Sequence, residues 1–408
     1  MTAEPVIFGT HQANTLAQFA DVAKGAVHAA LMSDGHLGYI CPVGGVVAYR
    51  NQVSLAAVGF DIACGNCAIE TDLPAAAAGR SWLAAVADEI HGRISFGIGR
   101  KNSSMDAPTD HPLFADPAWE GIPAQAREAL RDKARAQLGT VGSGNHYVDV
   151  FAGEGPHGRL WVGVHFGSRG FGHTIASGFL ALAAGAQWGA RVPETEVLLD
   201  LDSPLGHDYY QLMLLAGQYA YAGREWVARK VVEILGGGET LVVHNHHNWA
   251  WKERHFGEEL VVARKGATPA FPGQLGFVGG SMGDCSVILR GRPIEEGAPE
   301  GTREQQAALF STVHGAGRVM SRTEAAGKRN WKTGELKKAG KVSPEMMAEW
   351  LDREGVILRG GGLDESPHAY RRLPEVLAAQ GRTIEVVETL RPLVVVMAGA
   401  DELDPYKD

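Results

Sequence analysis

The amino-acid sequence predicts an α+β protein built as one large mixed domain. Three observations carry that expectation. Helical and strand-like segments are interspersed without a regular strand–helix–strand rhythm. No linker is long or polar enough to separate independent units, and no internal repeat or low-complexity tract is present. Hydrophobic residues make up 45% of the 408 positions and charged residues 21%, ordinary values that exclude global disorder. The expected domain spans residues 1–408.

Residues 14–32, NTLAQFADVAKGAVHAALM, read as an amphipathic helix. From Gly35 to Ile69 glycine-punctuated β-like runs follow, GGVVAYR, VSLAAVGF and CAIET. A helix is expected over 81–91. The polar stretch 97–125 is expected to be a long surface loop, and a charged helix covers 124–137. Strands are predicted at Tyr147–Phe151 and Leu160–His165. The longest helix is placed at 208–235, because Leu212, Leu215, Tyr219, Ala222 and Trp226 share one face and Gly236–Gly238 end it. Further strands are expected at Thr240–Val243, Glu259–Ala263 and Ser286–Leu289, then an exposed connector at 291–303. A short helix near 372–380, strands at Ile384–Leu390 and Leu393–Met397, and an acidic tail over 398–408 complete the order.

Lys plus Arg number 38 and Asp plus Glu 47, a formal net charge of −9. That excludes a globally basic nucleic-acid coat but not a local basic cleft. The start, MTAEPVIFGTHQ, lacks a basic segment and an apolar core, and no run approaches the ~18 apolar residues of a membrane span. A soluble, cytoplasmic protein with reduced thiols is expected, with no membrane partner. Of its four cysteines, Cys41, Cys67 and Cys285 are assigned to the core.

The chemistry lies among glycines, 53 of them, which cluster in short apolar-flanked loops. Six of the sixteen histidines sit in Gly- or Asn-rich settings: His36, His146, His165, His244, His246 and His247, with His314 in STVHGAGRVMSR a further case. Asp61 stands three residues before Cys64, a spacing that can put a carboxylate and a thiolate on one side of a turn. His146 and His165 lie at strand ends, where a rigid element can aim them into a cleft. Imidazole, thiolate and carboxylate together suit Zn, Mn, Fe or Co. Each feature alone is more often structural. Cys64-x-x-Cys67 lacks the second pair of a zinc knuckle and the strand-to-helix setting of a redox pair. Arg318 and Arg322 would share one face of a helix starting near Ala316, whose N–H groups would suit a phosphate beside His314. The loops 139–147, 167–173 and 278–283 read as anion or nucleotide cradles, without a Walker or Rossmann fingerprint.

Together these segments resemble the RtcB family of RNA-splicing ligases. The matching pieces are MSDGHLGY (32–39), AVGFDIACG (57–65), LGTVGSGNHYVDV (138–150), VHFGSRGFGH (164–173), HHNWAWKE (246–253), HFGEE (255–259), RKGA (264–267), GGSMG (279–283) and STVHGAGRVMSR (311–322), in the family's order. The resemblance implies an RtcB-like fold with a central metal and nucleotide cleft. It implies one or two Mn²⁺ ions held by Asp61, Cys64, His146, His165 and His247, with Cys64 bridging. His314 would be the nucleophile toward GTP. Asn145, Tyr147, Asp149, Asn248, Gly280, Ser281, Met282, Ser286, Gly315, Ala316, Gly317 and Tyr370 match nucleotide-contacting positions. Arg169, Arg318 and Arg322 match positions that hold RNA phosphates. The implied activity joins RNA 2′,3′-cyclic phosphate or 3′-phosphate ends to 5′-hydroxyl ends through guanylylated His314. RNA and GTP are the implied partners, with an archease-type activator as a further one.

Three positions depart from the family pattern. Asp149 stands where Glu is usual, Met397 where Lys is usual, and Gly279 where Pro is usual. All three bear on the nucleotide. The alternative they leave open is a metal-dependent phosphohydrolase or cyclic phosphodiesterase on RNA ends.

Overall fold

The computed structural model describes residues 4–103, 107–155, 157–294, 299–329, 336–399 and 402. Its architecture is mixed α and β, as expected, and two sheets dominate it. One has five strands in the order Val6–Ile7, His28–His36, Val43–Tyr49, Glu258–Lys265, Asn248–His255. The other runs Leu275–Val278, Ser286–Gly291, Ile384–Met397, Tyr147–Gly153, Arg159–Phe166, Gly65–Pro74, Glu239–His246, with Ile357–Arg359 alongside Ile384–Met397. The chain passes from the edge of the second sheet to the edge of the first at His247, between strands Glu239–His246 and Asn248–His255.

The longest helix is Pro204–Leu235, one turn longer at its start than expected. Ser203 caps it by accepting from the Gly206 N–H, Pro204 suits the first turn, and Gly236 closes it at φ +75°. Tyr209, Leu212, Leu215 and Tyr219 pack into the largest core cluster, with Phe171, Ile175 and Phe179 of the helix Arg169–Ala183. The helices Arg80–Arg93, Ala124–Gln137 and Leu373–Ala379 lie close to their expected places.

Several expectations are corrected. Residues 14–32 do not form one helix: the helix is Ala13–Ala23, and His28–His36 is a strand. The Ala-rich second half has helix propensity, but pairing of Ala29 with Val47 and full burial of Ala30, Leu31 and Met32 override it. The stretch 97–125 is not simply surface. It carries short 3₁₀ turns at Pro112–Ala115 and Pro117–Gly121, and Trp119 is fully buried against Phe171, ring centroids 4.7 Å apart; residues 104–106 fall outside the described set. The connector 291–303 ends in a helix, Pro299–Ala307, and 295–298 are outside the described residues. The last two expected strands are one, Ile384–Met397, its register shifting between Pro392 and Val394 because proline offers no N–H. Of the tail, only 398, 399 and 402 are described. Cys41 and Cys67 are fully buried, whereas Cys285 is only partly so.

One buried ion pair fastens the five-stranded sheet to the segment leading to residue 314. Arg264, fully buried, grips Glu253 across the strand pair with contacts of 2.8 and 3.0 Å. It also donates to Ser311 Oγ (2.8 Å) and the Leu309 carbonyl (2.7 Å). His255 makes a 2.7 Å contact with the same carboxylate.

Candidate active site

The site forms where the two sheets meet. Cys64 sits immediately before the strand Gly65–Pro74, on a loop held in an uncommon shape: Ala63 has φ +61°. A non-glycine residue there stores strain that its surroundings must overcome. They do so with specific bonds. Ala63 N–H donates to the Asn248 carbonyl (2.8 Å) and Cys64 N–H to the Asp61 carbonyl (3.0 Å). From beneath, the fully buried Arg224 of the long helix donates to the carbonyls of Ala63 (2.8 Å) and Phe166 (2.6 Å) and contacts His244 and His246. The Gly65 Cα faces the Asn245 carbonyl so closely that no side chain fits.

Cys64, His146 and His165 each offer a donor atom, all within 4.8 Å of one another. Cys64 Sγ is 3.8 Å from His146 Nε2 and 3.7 Å from His165 Nε2. The other nitrogen of each ring is engaged: His146 Nδ1 with the Val141 carbonyl (2.9 Å) and His165 Nδ1 with Asn66 Oδ1 (2.7 Å). Such bonds fix the tautomer and leave both Nε2 lone pairs facing the thiol, the arrangement of ligating imidazoles. Asp61 Oδ2 lies 3.2 Å from His146 Nε2, and the His247 ring stacks on His165 at 5.1 Å. His247 Nδ1 is buried and has no hydrogen-bond partner among the described residues.

Electrostatics point the same way. Burial, and then Asp61, push the Cys64 thiol well above its ordinary value. Burial holds His165 and His247 well below theirs, in the neutral form that ligates. Burial opposes ionisation of Asp61, yet the neighbouring His146 and the charge of Arg169 bring its pKa down to about 2. A thiol, neutral imidazoles and an ionised carboxylate converging in a buried place, with one nitrogen unpartnered, fit a divalent cation.

His314 adjoins this cluster, its ring 5.0 Å from that of His247. Its Nδ1 lies 2.6 Å from Asp34 Oδ2, and the same oxygen accepts from the backbone N–H of His314 (3.0 Å) and of Gly315 (3.3 Å). Asp34 is fully buried; burial raises its pKa, but His314 lowers it further, so the net shift is downward. His36 stacks on His314 at 6.4 Å and is held neutral by burial, at about 4.

A cleft opens from His165 and His314. Most expected nucleotide positions line it: Asn145, Tyr147 and Asp149 on one side, Gly280, Ser281 and Met282 on a second, Gly315–Gly317 and Tyr370 on a third. Ser281 Oγ, Tyr147 Oη and Asp149 Oδ1 are buried without partners among the described residues. Burial pushes the Asp149 carboxyl well above its usual value. Ser286 and Asn248 are outside this lining. Ser286 Oγ accepts from Gly280 N–H (3.0 Å), while Asn248 links the Asp61 carbonyl (3.3 Å) to Gly266 N–H (2.8 Å). Met397 contributes to an apolar wall with Met282 and Val395. At Gly279 the Tyr147 hydroxyl occupies the space a Cβ would need.

The arginine expectation needs correction. No helix starts near Ala316; the helix here is Arg322–Ala326. Gly317 is left-handed (φ +73°) and lies against the Asp34 carbonyl, which breaks the helical path. The two arginines converge instead on an acidic pair. Arg318 donates to Tyr370 Oη (2.7 Å) and the Asp364 carbonyl (2.7 Å); Arg322 pairs with Asp364 Oδ2 (3.0 Å) and with Glu365. Both line the cleft. Arg169, with φ +57°, lies 3.2 Å from His146 Nδ1 and against Gly142, and is not in the cleft wall. Sequence reasoning missed Asn66, Arg224 and the Asp364–Glu365 pair. Asp34 lay inside a quoted motif without a role. An arginine on the apolar face of the long helix was the available signal for Arg224.

Among known proteins, the family model described as tRNA-splicing ligase RtcB matches residues 12–398. The chain is 32% identical over 396 residues to the RNA-splicing ligase RtcB1 of Escherichia coli (strain ATCC 25922), covering 90% of each. It is 32% identical over 396 residues to the RNA-splicing ligase RtcB of Escherichia coli (strain K12), again 90% of each. To the tRNA-splicing ligase RtcB of Archaeoglobus fulgidus it is 30% identical over 441 residues, 90% of this chain and 86% of that one.

Proposed function

The chain belongs to the RtcB family and is an RNA ligase, and we propose that it joins RNA 2′,3′-cyclic phosphate or 3′-phosphate ends to 5′-hydroxyl ends, using GTP and Mn²⁺ through guanylylated His314. The observation that carries this reading is the 2.6 Å pairing of His314 Nδ1 with buried Asp34. With Nδ1–H donated to the carboxylate, the lone pair is on Nε2, free to attack phosphorus.

The reaction runs in four steps. Water opens the cyclic ester to a 3′-phosphate. His314 Nε2 bonds to the α-phosphorus of GTP and the P–O bond to pyrophosphate breaks. An oxygen of the RNA 3′-phosphate then takes GMP from the imidazole. Finally the 5′-hydroxyl attacks the activated phosphate and GMP leaves. Cys64, His146 and His165, with Asp61 and His247, would hold one or two Mn²⁺, which when bound neutralise phosphate charge. Asp149 would face the guanine N–H donors, and Ser281, Tyr370 and the 315–317 backbone would line the phosphates and sugar. Arg318 and Arg322 would meet RNA phosphates as bidentate donors, exchanging contacts with Asp364 and Glu365. Residues 1–408 would act as one catalytic domain, with an archease-type protein as activator and RNA in tRNA splicing or repair as substrate.

A covalent label from GTP in the presence of Mn²⁺, lost in His314→Ala, tests this reading. The occupied arginines and the apolar Met397 favour one alternative, hydrolysis of RNA ends without nucleotide transfer. Opening of cyclic ends with no label on the protein would select it.

A further inference from the structure

We propose that the antiparallel strand pair Gly327–Arg329 and Leu336–Ala339 is a docking surface for the phosphodiester backbone of RNA whose end lies in the cleft, with Lys328 and Lys338 meeting its phosphates. The inference rests on the ligase reading, which supplies the polyanion.

Charge singles out this ribbon. The protein is acidic overall, at −9, yet residues 327–341 carry six Lys or Arg and one Glu. Lys328 and Lys338 are directly opposed in the antiparallel register, so their side chains leave the same face of the ribbon. Both are exposed, and neither has an ion pair among the described residues. Glu324, whose field includes Lys338, is itself paired with Lys341. Lys337, also exposed, adds a further charge on the opposite face. Like charges placed directly across a strand pair destabilise it, and an anion lying over them relieves the repulsion. Elsewhere lysines are matched: Lys24 by Asp21 and Lys230 by Glu233.

The root of the ribbon is fastened to the cleft wall. Arg322, in that wall, opens the helix Arg322–Ala326, and Gly327 follows at φ +83°. The helical rise to Ala326 and two extended steps beyond it put the Lys328 Cα at most about 14 Å from that of Arg322. Past the second strand, Lys341 N–H donates to the Glu324 carbonyl (2.9 Å) and Val342 N–H to the Ala325 carbonyl (3.0 Å), which sews the chain back onto the same helix. Ala325 is buried in a cluster with Val342 and Ala369, and Tyr370 of the cleft wall packs against that cluster. An RNA strand that ends at Arg318 and Arg322 therefore has the ribbon within reach of its next phosphates. Ammonium groups there hold the backbone without reading the bases.

The test is fluorescence anisotropy with the full chain and a dye-labelled single-stranded RNA of about 20 nucleotides ending in a 3′-phosphate, without GTP or Mn²⁺, across about 50–200 mM KCl. Lys328→Gln with Lys338→Gln should raise Kd about tenfold near 150 mM salt and flatten the slope of log Kd against log salt by about 1.4, the share of two single-strand phosphate contacts. Lys328→Arg with Lys338→Arg should match the unsubstituted chain. Lys24→Gln with Lys230→Gln makes the same change in net charge on other elements and should leave both readings unmoved. Both ribbon lysines are exposed, so the Gln pair should stay folded, with a melting temperature equal to the parent's or higher as the repulsion is lost. An unchanged slope in the Gln pair, or an equal loss in the Lys24 and Lys230 pair, would overturn the proposal. Omitting nucleotide and metal keeps the result apart from the guanylylation reading, which GTP labelling judges alone. An unsubstituted chain that binds no RNA overturns both the ribbon and the ligase reading, whereas parental binding untouched by the Gln pair overturns the ribbon only.

Discussion

Asp34 and His314, 280 residues apart in sequence, share a 2.6 Å contact in which a fully buried carboxylate meets the ring Nδ1. Asp34→Ala removes the oxygen that holds the proton on Nδ1 and the ring in place, so the imidazole loses both its tautomer preference and its orientation. The rate of covalent labelling by GTP should fall about 10³–10⁴-fold, with nucleotide affinity nearly unchanged. Wild-type labelling in this variant would end the positioning role.

Cys64→Ala removes the thiol on which His146 and His165 converge. Mn²⁺ affinity, followed by calorimetry, should fall by more than about 100-fold, and ligation should vanish. Asn66→Ala leaves the three donors but frees His165 Nδ1, so a loss of about 10–100-fold is expected. Retained affinity in Cys64→Ala would remove Cys64 from the ligand set.

Burial pushes the Asp149 carboxyl well above its usual value. Guanine N–H groups favour the carboxylate, so the complex binds fewer protons than its separate parts. GTP affinity should therefore rise with pH until the free carboxyl ionises unaided. Proton release on binding, read by calorimetry in buffers of different ionisation enthalpy, should disappear in Asp149→Asn.

Arg322→Ala should weaken use of RNA more than labelling by GTP. Because Asp364 and Glu365 are buried and lose a cation, the fold should weaken as well. Equal loss in labelling and in RNA use, after correction for folded fraction, would contradict a phosphate role.

Arg264→Met strands the buried Glu253 carboxylate and should cost about 3–5 kcal/mol in urea unfolding at neutral pH. Burial raises the Glu253 pKa, but Arg264 and His255 lower it by more. Its contribution is thus full above about pH 4.3 and is lost as pH falls through the lower folded value. The difference between variant and parent should shrink accordingly in acid.

The candidate metal donors could be picked out in the sequence because their signals are local. Asp61 and Cys64 share one turn, and His146 and His165 flank strands whose alternation is plain. What supports them was not. Asn66 reaches His165, Arg224 reaches Ala63, and Asp34 reaches His314 across 99, 161 and 280 positions, distances no periodicity reports. The strand His28–His36 was hidden for a related reason: alanines favour a helix until a neighbouring strand and burial outweigh them. The arginine pair failed differently. Its spacing suited a helix, but Gly317 turns left-handed against Asp34.

The strand Ile384–Met397 lies between Ser286–Gly291 and Tyr147–Gly153, both made much earlier in synthesis. Until it emerges from the ribosome, the two flanking strands lack a partner on that side and the cleft lacks Val395 and Met397. One late insertion covers both edges, so the cleft can be completed only after nearly the whole chain has been made.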